Sequence, residues 1–197
     1  MRKVSLLCGL LCLLCLSNAI AQLDPFPDRI GMYFDADGLV VCHDFIGGPV
    51  TMYLVLTECT APSGVSGWEC HVDYSVPSGN FEMGWTLVGD AINVSTDPDF
   101  CVGLASPLPG AEAIVLATYG ILVFTTEEMW FRVREANLPS ISGYPCYAAG
   151  DDPGCLIALQ PVCDDEANAG LNAGTGCSWC IVPSTPTTWG QLKAQYR

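Results

Sequence analysis

Basic residues are scarce in this chain. Seven Lys and Arg stand against twenty-one Asp and Glu, with two histidines, for a net charge of −14 over 197 residues. That balance excludes nucleic acid as a partner, because neutralising phosphates needs clustered Lys and Arg. An anionic membrane surface is disfavoured on the same ground. With only His43 and His71, any Ser-His or Cys-His nucleophile must use one of the two. No nucleophile elbow of the form Gly-x-Ser-x-Gly occurs; Ser66 sits in Gly64-Val65-Ser66-Gly67. Long amphipathic helical patterns are also missing. The acidity does not signify disorder, since half the residues are hydrophobic and the aromatics are spread along the chain.

The N-terminus carries a secretory leader. Arg2 and Lys3 precede an apolar run over residues 4–16, and Ser17-Asn18-Ala19-Ile20-Ala21 places small residues at the spacing a signal peptidase reads. The run is too short and wrongly flanked for a membrane anchor. Cleavage after Ala21 is therefore expected, leaving 176 residues that begin at Gln22, with no membrane insertion afterwards. The mature chain then holds five basic and twenty-one acidic residues, a net charge of −16. Its address is secreted, periplasmic or cell-surface.

Export changes the reading of the cysteines. Cys8, Cys12 and Cys15 leave with the leader; Cys42, Cys59, Cys70, Cys101, Cys146, Cys155, Cys163, Cys177 and Cys180 remain. In an oxidising compartment these are disulfide candidates, up to four bridges with one thiol left over. Connectivity stays open; Cys146 with Cys155, and Cys163 with Cys177 or Cys180, are candidate pairs.

Residues 29–159 read as strands. Residues 30–35 and 39–42 flank Asp35-Ala36-Asp37-Gly38, a turn with Gly where a positive φ is needed. Residues 50–56 are apolar at alternate positions. In residues 68–74, Trp68, Cys70, Val72 and Tyr74 share one face, with Glu69, His71 and Asp73 on the other. Such alternation marks a half-buried strand. Residues 81–88, 100–105, 113–124 and 129–135 continue the series, separated by Gly/Pro turns. Seven to nine short strands predict an all-β antiparallel sandwich over residues 22–160. Residues 161–186 read as an irregular, Cys-containing tail. Residues 187–197 read as a short helix, with a capping box at Thr188/Gln191 and Trp189, Leu192 and Tyr196 on one face.

Residues 50–57, Ser63-Gly64-Val65-Ser66-Gly67-Trp68-Glu69-Cys70-His71-Val72-Asp73-Tyr74, Phe100-Cys101-Val102-Gly103-Leu104 and the apolar run 113–124 together resemble the cohesin-like and carbohydrate-binding-module-like sandwiches. The opening Ile30-Gly31-Met32-Tyr33-Phe34-Asp35 and the Thr188-Trp189-Gly190 segment also resemble uncharacterised secreted bacterial proteins of that type. The resemblance implies a non-catalytic binding domain. Nine cysteines depart from typical cohesins, and no dockerin-like segment is visible.

Candidate chemistry is sparse. Cys177-Ser178-Trp179-Cys180 has redox or zinc spacing, but its Ser/Pro-rich surroundings favour structural disulfides. Acidic pairs at Asp35/Asp37, Asp97/Asp99 and Asp151/Asp152, and the run Asp164-Asp165-Glu166, have the oxygens that calcium takes, without EF-hand order. Asp151 and Asp152 are the preferred pair. Trp85 and Trp130 are candidates for a sugar-stacking platform, whereas Trp68 belongs to a core face. Asn93-Val94-Ser95 is a glycosylation sequon.

These residues lead to a secreted, non-enzymatic binding or structural module at or outside the cell surface, with a protein or carbohydrate partner and no cofactor beyond candidate calcium. A carbohydrate-binding module using exposed aromatics is the alternative, and a secreted hydrolase the third reading.

Overall fold

The computed structural model describes residues 26–163 and 167–174. The leader, Asp164-Asp165-Glu166, the Cys177/Cys180 pair and the C-terminal helix expected over 187–197 lie outside the described residues.

Thirteen strands follow one another without an intervening helix among the described residues. They are β1 (Arg29–Tyr33), β2 (Cys42–His43), β3 (Gly48–Thr57), β4 (Val65–Tyr74), β5 (Phe81–Leu87), β6 (Ala91–Asn93), β7 (Asp99–Leu108), β8 (Ala113–Val123), β9 (Met129–Arg134), β10 (Cys146–Ala149), β11 (Leu156–Ala158), β12 (Gln160–Pro161) and β13 (Ala169–Leu171). One sheet runs β12-β1-β3-β8-β5. The other has eight strands, β11-β10-β4-β9-β13-β2, with β7 also on β4 and β6 on β7. Two parallel pairs, β1 with β12 and β13 with β2, make both sheets mixed where pure antiparallel pairing was expected. Each is only two residues long, and each brings a later segment alongside an early strand.

Alternation carries the sandwich. Trp68, Cys70 and Val72 of β4 pack inward against Leu54, Leu56, Leu116, Tyr119 and Ile121 of the facing sheet in one core cluster. The segment 113–124, helical by length alone, is strand over Ala113–Val123 and pairs with β3 along its whole length, as its β-branched content required. An aromatic group fills one end of the core: Tyr74, Trp85, Phe100, Tyr119 and Phe131 approach one another at centroid distances of 4.9–6.3 Å. Asp35 shapes the expected turn by accepting the Leu39 and Val40 amides at 2.9 and 2.8 Å, with Gly38 at φ 72°.

Strand β4 organises the larger sheet. Its residues Val65–Glu69 lie between β7 on one side and β10 on the other, while His71–Tyr74 pair with β9. The chain between β9 and β10 folds over the outer side of this junction, where Ser140 reaches Glu69.

Candidate functional site

The side chains of β4 that turn away from the core share their face with those of its neighbours, because paired residues point to the same side of a sheet. Register therefore defines two rows across the outer face. In the first, Ile92 pairs with Gly103, Gly103 with Gly67, Gly67 with Ala148, and Ala148 with Leu156. Three positions without bulk lie between two large apolar ones, so the row is a shallow shelf. Ile92 is 68% exposed and Leu156 43%, and neighbouring Val94 is 78% exposed. The second row runs Cys101, Glu69, Cys146, Ala158.

Glu69 is the unusual member, being buried on the side of the sheet that faces away from the core. Its Oε1 accepts the Ser140 amide at 2.5 Å and the Cys146 thiol at 3.3 Å, and its Oε2 accepts the Ser140 hydroxyl at 2.9 Å. All three donors are neutral. Glu69, Cys101, Ser140, Cys146, Ala148 and Leu156 line part of a recess of about 170 Å³ that opens on the shelf.

The carboxylate governs the thiols beside it. Burial pushes the Cys146 thiol up to about 12, with the hydrogen bond to Glu69 and its charge adding to the effect. Burial also raises Cys101, followed by the charges of Glu69 and Asp99. Both sulfurs are protonated at neutral pH, and Cys146 donates weakly to Glu69 rather than acting as a nucleophile. Cys101 and Cys146 flank Glu69 on opposite strands, two strand spacings or roughly 10 Å apart, too far for a disulfide.

One step along β4 lies a charged cluster. His71 Nδ1 is 3.2 Å from Asp99 Oδ1, and its Nε2 is 3.2 Å from Asp73 Oδ1. Arg134 donates from Nε to Asp73 Oδ2 at 2.8 Å. Burial, the strongest single influence, pushes the Asp99 carboxyl up. The Asn137 amide, Ser95 hydroxyl and His71 ring outweigh it and hold the group below the usual carboxylate range.

The other sequence candidates fall elsewhere. Trp85 turns inward onto Phe100 and Tyr119, while Trp130 lies on β9 facing outward beside Arg132 and Arg134; the two rings do not form one platform. Strict alternation would set Trp85 beside the exposed Phe81 and Met83; a bulge at Glu82/Gly84 turns it inward, and reading the sequence by period cannot locate that bulge. Asp151 accepts the Ser63 hydroxyl and Asp152 the Gly154 amide, so the first ties two loops together and the second braces its own turn. Among the described residues no group of three or more His, Cys, Asp or Glu side chains is arranged to hold a metal ion.

Cys42 and Cys163 are disulfide-bonded, and Cys59, Cys70, Cys101, Cys146 and Cys155 are free thiols. The free set is larger than the single thiol expected. Cys70 is spent in the core, and Cys101 and Cys146 in the row around Glu69. The candidate pair Cys146/Cys155 is separated as well, since Cys146 stands opposite Ala158 rather than Cys155. Ser66 donates to the Ala149 carbonyl at 2.8 Å as a strand bracket, and His43 lies against Phe34 and Phe45. Asn93 uses both ends of its amide, donating to Asp97 and the Asp99 carbonyl and accepting the Ser95 and Cys101 amides, so the folded sequon is a structural clasp.

Glu69, Cys101, Cys146, Ile92 and Gly103 were not singled out as a site by sequence reading. Period-2 alternation placed Glu69, His71 and Asp73 on one face, but the partners arrive from strands 30 to 80 residues away.

No protein-family model and no curated protein matches the chain. Solved structures do. A cohesin module from a Clostridium perfringens family 33 glycoside hydrolase is 10% identical, with a TM-score of 0.46 over 68% of this chain and 91% of that one. A type II cohesin domain from the cellulosome of Acetivibrio cellulolyticus is 13% identical, with a TM-score of 0.46 over 75% and 96%. A complex of CaDoc0917 with CaCohA2 contributes a chain 12% identical, with a TM-score of 0.42 over 68% and 92%. The resemblance is to a cohesin-like β-sandwich and concerns architecture alone.

Proposed function

We propose that the chain is an exported, non-catalytic module that binds a polypeptide on the outer face of its larger sheet. The observation that carries this reading is the shelf Ile92-Gly103-Gly67-Ala148-Leu156, a flat five-strand row with exposed apolar ends beside a charged cluster. Exposed apolar side chains rimmed by polar ones are the composition of contact surfaces. The suppressed thiols and the engaged Ser66 supply no activated nucleophile on this face. With twenty-one acidic residues in the chain, a partner of basic character is favoured and its association is steered by charge. Export rests on the leader, and the mature N-terminus is Gln22.

Selection of a phage-displayed random-peptide library on the immobilised mature chain tests the reading. Binders are expected to lose about tenfold or more in affinity against Gly103→Arg, which raises a charged side chain from the middle of the shelf. Gly103 has open space above it, so the substitution leaves the fold intact. Binders indifferent to Gly103→Arg would overturn the shelf as the contact surface.

A further inference from the structure

The recess beside the shelf holds a buried carboxylate with an incomplete set of partners. An ionised carboxylate offers about four acceptor positions. Glu69 fills two on Oε1, with the Ser140 amide and Cys146 thiol, and one on Oε2, with the Ser140 hydroxyl. One position on Oε2 remains, and Glu69 lines the recess of about 170 Å³. Neutral donors only partly replace lost hydration around a buried charge. The best complement to that remaining position is a cation. The walls suit a flexible aliphatic stem: Gly67, Ala148 and Leu156 are apolar or without bulk. The charge of Glu69 reaches its surroundings, raising Cys101 and Cys146 after burial has done so.

We infer that the Glu69 recess is the specificity pocket of the binding face and takes one Lys or Arg side chain of the partner. Its stem lies along Ala148 and Leu156, its cationic head meets Glu69 Oε2, and apolar neighbours of that residue rest on the shelf. This assignment rests on the reading of the outer face as the contact surface, which the Gly103→Arg variant tests separately. A second conclusion follows from the geometry: Glu69→Gln preserves an acceptor for Ser140 while removing the charge, so fold and recognition separate.

The experiment is a double-mutant cycle on peptides selected from the library. Selected sequences should share a basic residue at one fixed position. Replacing that residue by norleucine should weaken binding to the wild-type chain about tenfold or more, and Glu69→Gln should do the same. The two changes together should cost no more than either alone. A thermal melt of Glu69→Gln establishes that the variant is folded, and the norleucine peptide probes the wild-type chain without altering it. Peptides that depend on Gly103 but lose equally in wild type and Glu69→Gln on norleucine substitution would overturn the pocket and leave the contact face standing. Peptides whose basic residue couples to Glu69 but that ignore Gly103→Arg would retain the pocket and overturn the shelf. A basic preference of equal strength in wild type and Glu69→Gln would reduce the effect to the overall charge of the chain and end the proposal.

Discussion

Single residues hold this sandwich at places where polar groups are buried. Tyr147 reaches from β10 to donate to Asp28 Oδ1 at 2.8 Å, and its oxygen accepts the Ala61 amide at 3.2 Å. Asp28 also accepts the Thr60 amide and hydroxyl, at 2.9 and 2.6 Å. Tyr147→Phe leaves a buried carboxylate and an amide short of a partner, for a loss of about 2 kcal/mol in urea denaturation. Asp99 sets a pH dependence. Its carboxyl lies below the usual range in the folded chain. It therefore contributes stability above its unfolded pKa of about 3.9, and that contribution is lost as pH falls through the lower folded value. Asp99→Asn should flatten the acid limb of a stability-versus-pH curve, as followed by urea denaturation across the acid range. Residue types in the sequence pointed to neither role, because Asp28 and Tyr147 are 119 positions apart.

At the level of elements, turns and strand crossings decide tolerance. Gly64 has φ +79°, and a Cβ there would collide with the Leu108 carbonyl oxygen. Its own carbonyl accepts the Gly150 amide, so three segments meet at the start of β4. Gly64→Ala should cost more than about 2 kcal/mol, from backbone strain and the clash together. Gly103→Ala, in open space on β7, should stay within about 0.5 kcal/mol, and paired denaturation curves compare the two. Both glycines sit in strand or turn patterns that look alike in sequence. The strands themselves were legible: alternation in residues 68–74 and the β-branched run 113–124 identified β4 and β8. Bulges at Val65/Gly67 and Glu82/Gly84 were not, and the second is why Trp85 faces the core rather than a ligand.

Across the whole molecule, charge is the dominant non-local force. A net charge of −14 repels itself in the compact state, and salt screens it over about 8 Å at physiological ionic strength. The melting temperature should rise between about 0.01 and 0.15 M NaCl, measured by differential scanning calorimetry, because screening relieves repulsion more in the folded than in the expanded chain. An unchanged or falling melting temperature would mean that local pairs such as Arg134–Asp73 outweigh the net charge.

Composition and period, which are local properties, determined the acidic balance, the all-β class and the inward face of β4. Each is written in residues that are neighbours in sequence or two apart. Tertiary structure alone decided the site. Glu69 becomes a buried carboxylate only because Cys101, Cys146 and Ser140 reach it from 32, 77 and 71 positions away. The shelf becomes flat only because register sets Gly103, Gly67 and Ala148 side by side. Cross-strand register and the burial it creates depend on how both sheets close on one core, and no window of sequence contains that information.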